Sequence, residues 1–314
     1  MTRWRMRIRL AVLFASLLPG LPAAEVLRVG PGERFGTPSE AAAVARPGDT
    51  VLIAPGLYRD CAVWRTANLT IAAHEGEAEI AGPAVCDGKA LFVIDAPRVT
   101  VRGLAFTGAR AASGNGAGIR AQGADLRVER TRFEDNETGI LTIAAMPAGG
   151  LVVEDSLFRG NGARIPDGPC TGHALYAGQW ALVTIRRSRF EATRACHHVK
   201  SRAARTEVLD SVIADGPDGA SSYLIDVPNG GNLLLTRSDL VKGPRSGNPR
   251  AAVVFGAEGV TWPNALIEVT ANRFANQGRL PTIFVENRSA ARARLAGNTL
   301  SGPVLPLLGP GTAQ

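Results

Sequence analysis

Three short stretches hold most of the rarer ionisable side chains: Gly172-His173-Ala174-Leu175-Tyr176, Cys196-His197-His198-Val199-Lys200-Ser201-Arg202 and Ser222-Tyr223-Leu224-Ile225-Asp226. The chain has only four histidines, three tyrosines and three lysines, so three histidines, two tyrosines and one lysine here form a concentration. Such a set can move protons and hold an anion. Lysine can lose its proton when crowded by cations or partly buried, whereas arginine keeps its own. Lys200 stands two positions before Arg202 in a chain that uses arginine for 32 of its 35 basic residues. Arg202 and a protonated His198 would provide such crowding, and a fall from about 10.4 to about 8 would cost roughly 3 kcal/mol. The chemistry that fits is β-elimination beside a uronate carboxylate. Lys200 would take the C5 proton, and Arg202 with His198 would neutralise the carboxylate. Tyr176 or Tyr223 would protonate the leaving oxygen. His173, His197, Asp226 and Asn229 would line the same surface and bind the sugar.

These residues meet only if the three stretches are stacked, and a repeat in the sequence stacks them. Apolar pairs five residues apart recur at Val101/Phe106, Val128/Phe133, Val153/Phe158, Ile185/Phe190, Val208/Ile213, Leu235/Leu240, Val269/Phe274 and Leu295/Leu300. Three positions after each first member comes a small polar residue: Thr131, Ser156, Ser188, Ser211, Ser238, Asn272 and Asn298, with Leu104 the exception. Successive first members are 27, 25, 32, 23, 27, 34 and 26 residues apart. A period in this range, with short alternating segments such as Leu182-Val183-Thr184-Ile185, describes stacked strand-turn-strand units. The longer steps need loops bulging from a corner. The polar column would form a hydrogen-bonded ladder where the chain turns. The fold predicted is all-β, a single-stranded right-handed parallel β-helix. Pro38-Ser39-Glu40-Ala41-Ala42-Ala43-Val44-Ala45 would form a short capping helix over its open N-terminal end. In this register Leu175, Val199 and Leu224 face the core. Tyr176, Lys200 and Tyr223 face out, with His198 and Arg202 on the same side. Parallel strands lie about 4.8 Å apart, so the outward groups would make a patch roughly 10–15 Å long.

With this register, the chain resembles the pectin-lyase-like superfamily along its mature length. The Lys200-Ser201 pair on a strand is similar to a motif of polysaccharide lyase family six, the chondroitinase B and alginate lyase group. That resemblance implies a lysine base assisted by an arginine, and a calcium ion held by acidic residues on neighbouring coils. In that family the arginine lies on the next coil, whereas here the best-placed one, Arg202, shares the lysine's strand. Asp226 is one candidate calcium ligand, and no acidic cluster surrounds it in the sequence. No cofactor is therefore required, and Ca2+ is the one that the resemblance implies.

Arg3, Arg5, Arg7 and Arg9 precede an apolar run from Leu10 to Leu18 and a small-residue site at Pro22-Ala23-Ala24. Residues 1–24 read as a secretory signal peptide, too short for a membrane span. Its removal takes four arginines and no acid, lowering the formal charge from +7 to +3. The high isoelectric point is then partly a targeting feature, and no nucleic-acid partner is indicated. A weakly basic exported protein suits an anionic polysaccharide. One β-helix domain is expected over residues 25–301, with a loose tail over 302–314, acting as a monomer in the periplasm or medium. Cys61 and Cys86 are 25 residues apart, and Cys170 and Cys196 are 26 apart, about one coil each. Of three possible pairings, 61–86 and 170–196 are the local ones expected in an oxidising compartment. The alternative, a zinc site, lacks any CxxC.

Two other functions fit the same scaffold. A glycoside hydrolase needs two flanking carboxyls, for which Asp215, Asp218 and Asp226 are nearby. A non-catalytic polysaccharide-binding or envelope protein needs only the Tyr, His and Arg surface.

Overall fold

The repeat is present as three long parallel sheets, to which each turn of the chain contributes a strand. A computed structural model describes residues 23–166, 168–262 and 266–314. The expected leader over residues 1–24 thus falls outside the described residues except for Ala23 and Ala24. The sheets have 12, 10 and 10 strands, and strands adjacent in each sheet come from successive turns of the chain. This is a parallel β-helix.

The register is the one that the apolar pairs require. Val101, Val128, Val153, Ile185, Val208, Leu235, Val269 and Leu295 stand directly above one another in the first sheet. Phe106, Phe133, Phe158, Phe190, Ile213, Leu240, Phe274 and Leu300 do so in another. Both columns face the core, and the rings of Phe106, Phe133, Phe158 and Phe190 stack at centroid distances of 5.3, 4.6 and 4.3 Å. Burying apolar area at roughly 25 cal/mol per Å² drives the assembly, and no turn can do so without its neighbours.

The polar column forms a ladder at the corner between these sheets. The amide of Thr131 donates to Ser156 Oγ at 3.2 Å, and that of Ser156 to Ser188 Oγ at 3.2 Å. Ser188 donates to Ser211 Oγ at 3.1 Å, and Ser211 to Ser238 Oγ at 3.1 Å. Ser238 then donates to Asn272 Oδ1 and Asn272 to Asn298 Oδ1, each at 3.0 Å. The preceding residue is left-handed at each of these corners: Arg130, Asp155, Arg187, Asp210, Arg237 and Ala271 have φ between 45° and 54°. That turn frees one amide per coil, and the ladder satisfies it.

The helix Pro38–Val44 has Thr37 as its N-cap and buries Pro38 and Ala41 against the first turn. At the other end the expected loose tail is ordered. Val304–Leu308 pairs with Thr282–Asn287, and Gly311–Ala313 pairs with Ala293–Ala296. Its Gly and Pro residues turn the chain into one more coil, whose Val304 and Leu307 pack on the core. Both local disulfides are formed, Cys61–Cys86 and Cys170–Cys196, with Cα atoms 5.4 and 5.6 Å apart. They fit a chain that resides in an oxidising compartment. No helix among the described residues is long and apolar enough to cross a membrane.

Candidate functional site

The second sheet carries the chemistry on its outer face. Its strands include Ala117–Ala121, Thr138–Thr142, Leu175–Ala177, Val199–Ser201 and Ile225–Val227. Their pairing sets Arg120, Leu141, Tyr176, Lys200 and Asp226 in one vertical column. Arg202 follows directly after its strand and turns back over Tyr176, its Nε donating to the phenol oxygen at 2.8 Å. Asn229 accepts from Arg202 Nη1. Trp262 Nε1 donates to the Arg202 carbonyl at 2.9 Å and pins the backbone there.

The neighbours of Lys200 are the opposite of those expected. Its ammonium donates to Asp226 Oδ2 and Glu258 Oε1, each at 2.7 Å, so carboxylates rather than cations surround it. Glu258 also bridges to Arg202 Nη2 at 2.5 Å. Burial pushes the Glu258 carboxyl up, but the bonds from Lys200 and Arg202 outweigh it and hold the group below the usual carboxylate range. Asp226 is buried more deeply, and desolvation raises its pKa despite the opposing Lys200 charge. Its second oxygen, Oδ1, is buried with no partner among the described residues. Elsewhere, burial pushes the Lys242 ammonium down to about 8 against the opposing charge of Asp215.

His198 does not face the cleft. It precedes the strand, so alternation does not govern it, and its ring is fully buried on the other side of the chain. Its Nε2 lies 3.0 Å from Asp215 Oδ1 and its Nδ1 2.7 Å from Thr193 Oγ1. Asp215 also accepts from Ser221 Oγ and from the Gly243 amide, which makes this a closed structural network. Tyr223 is displaced for the same reason. Ile225, not Leu224, pairs with Val199, so Asp226 takes the place beside Lys200 expected for Tyr223. Leu224 is nevertheless buried.

Tyr223 instead stacks flat on His197, with centroids 5.1 Å apart, and His197 stacks on His173 at 5.1 Å. The Tyr223 amide donates to His197 Nδ1, and the His197 amide to His173 Nδ1. Each imidazole proton therefore sits on Nε2, and that of His197 points at Asp226 Oδ2, 3.4 Å away. Desolvation, then the Lys200 and Arg202 charges, push His173 down to about 3, and burial likewise holds His197 well below the normal range. Both rings stay neutral, and His197 supports Asp226. Their burial leaves little surface for a sugar.

The open part of the site is a cleft of about 560 Å3 running from Arg202, Tyr176 and Asn229 past Leu141, Thr142, Gln179 and Thr171 to Arg120 and Asn115. Glu258 and Arg120 escaped the sequence reading. Glu258 lies in the loop that makes the 34-residue step, and Thr171 in the hairpin that makes the 32-residue step, so the two long steps mark the loops that build the site. No group of three or more His, Cys, Asp or Glu side chains among the described residues could hold a metal ion. Among the described residues, Asp226 and Glu258 are the carboxylates on the Lys200 ammonium, and that cation lies between them. The site does not fit the calcium that the resemblance implied.

No protein family profile matches the sequence, and no curated protein matches it. Among solved structures the chain is similar to pectate lyase Pel9A, with a TM-score of 0.56, 15% identity, and 94% of this chain and 80% of that one covered. It is also similar to the PL6 family alginate lyase AlyGC, with a TM-score of 0.47, 17% identity and 95% of this chain covered. The chain spans 40% of that enzyme's length. At these identities the likeness concerns the fold.

Proposed function

We propose that this is an exported polysaccharide lyase that takes a uronate-containing polymer in the cleft beside Lys200, Arg202 and Tyr176. The observation that carries this reading is Glu258, whose carboxylate bridges Lys200 at 2.7 Å and Arg202 at 2.5 Å. It is the half-exposed member of the cluster, and a uronate carboxylate can replace it on the same two cations. Neutralising that carboxylate acidifies the adjacent C5–H. Lys200 passes a proton to Asp226, whose carboxyl burial already favours in its protonated form. The neutral amine then takes the C5 proton. Tyr176 accepts from Arg202 through its oxygen, so its own proton is free for the leaving O4. The C5 proton ends on Lys200, the Tyr176 proton on the new chain end, and a C4–C5 double bond remains. That this fold also serves a pectate lyase adds support.

The test is incubation with polygalacturonate, alginate and glycosaminoglycans, following the ultraviolet absorbance of unsaturated uronate. Native protein should produce a rise, and Tyr176→Phe should lower the rate at least a hundredfold while still binding. A second reading, binding without cleavage, is favoured by the engagement of Lys200 with two carboxylates. Saturable binding with no absorbance change on any of the polymers would establish it in place of the lyase.

A further inference from the structure

The far end of the cleft holds an arginine that nothing in the fold uses. Several arginines elsewhere on the sheet faces are matched to acids on neighbouring turns: Arg127 and Arg186 to Glu154, Arg159 to Glu191, Arg250 to Glu286. Arg120 forms no ion pair and no side-chain hydrogen bond among the described residues, and its Nε is buried without a partner. Burial pulls its pKa below the usual arginine value, but the group stays charged at any physiological pH. A partly desolvated cation without a counterion is costly, and chains keep one where a ligand supplies the anion.

The surroundings describe that ligand. Between Arg120 and Tyr176 the column presents Leu141, an apolar floor one strand spacing from each. Thr142, Thr171, Gln179 and Asn115 provide polar groups around it. An apolar floor with polar groups at its edge suits the two faces of a pyranose ring. By strand spacing, Arg120 stands about 10 Å from Tyr176, the level to which the Arg202 guanidinium turns back. A spacing of two strands between them suits carboxylates on two different sugar residues better than one shared by both.

We propose that Arg120 is a second anion-binding residue, so that the cleft holds an acidic oligosaccharide by two separate carboxylates, one at Arg202 and Lys200 and one at Arg120. This rests on the reading of the cleft as a polyuronate site and extends it to a minimum ligand length and charge pattern. Arg120 binds and positions the chain, and takes no part in proton transfer.

The experiment is calorimetric titration of the full chain with oligogalacturonates or oligoalginates from two to eight residues, and with the same oligomers after carboxyl reduction. Native protein should show a step of about tenfold in affinity once the oligomer is long enough to reach Arg120. Arg120→Met, which keeps the aliphatic stem, should abolish the step and leave the shortest ligands unchanged. Arg120→Lys should restore part of it. Equal affinities of native and Arg120→Met protein at every length would overturn the proposal and leave the polyuronate reading intact. Absence of binding to any acidic oligomer would overturn both. If Arg120→Met does not fold, the native chain still decides. A smooth length dependence with no step, or equal binding of charged and carboxyl-reduced octamers, would rule out the second anion site.

Discussion

Glu258 competes with the proposed ligand for Lys200 and Arg202, and this competition can be measured. Glu258→Gln removes the charge but not the shape. It should raise affinity for acidic oligosaccharides by about three- to tenfold, read by titration, because the ligand no longer displaces a carboxylate. Unchanged affinity would mean that the ligand carboxylate binds elsewhere. The buried rings make a second prediction. His173 and His197 have folded pKa values below the unfolded value of about 6.5, with His173 near 3. Between those limits the unfolded chain binds more protons than the native one. Their contribution is therefore intact above pH 6.5 and lost as pH falls toward 3. Each can remove up to about 1.4 kcal/mol per pH unit in that window. Thermal melts of native protein should fall steeply from pH 6.5 to 4, and His173→Asn should flatten the slope; equal slopes would assign the acid sensitivity to other groups. At this scale the sequence was partly legible. Rare residue types placed Tyr176, Lys200, Arg202 and Asp226 on neighbouring turns. It did not tell which side His198 and Tyr223 take, because both lie in the bend before a strand, where alternation has not begun.

Strands and corners were read more fully, since every turn repeats the same physics. The five-residue pairs state the spacing between two inward positions on adjacent sheets, and both columns stack as that spacing demands. The polar column was read as a hydrogen-bonded ladder, and the structure supplies the partner of each rung. Each hydroxyl accepts the amide of the turn before it. Ser188→Ala should orphan the Ser156 amide at the centre of the stack and cost about 1–3 kcal/mol, seen as a lower midpoint in denaturant with an unchanged m-value. A change below 0.5 kcal/mol would show that water replaces the hydroxyl. The tail was misread at this scale because Gly and Pro at its corners resemble a linker in composition. Its strands are recognisable only against the coil on which they pair.

The whole molecule is a stack of nearly equal turns in which two long steps build the proposed site. One of these is the hairpin that Cys170 ties to Cys196, next to the cleft residue Thr171. The other disulfide, Cys61–Cys86, lies several turns away. Replacing either pair with serine should lower stability by about 3 kcal/mol, since the loops are of similar length. Only loss of the 170–196 bridge should weaken oligosaccharide binding. Equal losses of affinity from both pairs would show that the hairpin does not shape the cleft. The corner ladder has one more consequence. Because each corner passes the same bond to the next, a turn of the chain is a transferable part. Duplicating residues 126–150 would continue the ladder and insert a second Leu141 beneath the cleft. Arg120 would move one notch further from Arg202, about 4.8 Å. If the cleft binds two carboxylates as proposed, the protein would then act as a longer ruler, selecting oligomers whose charges are spaced to match.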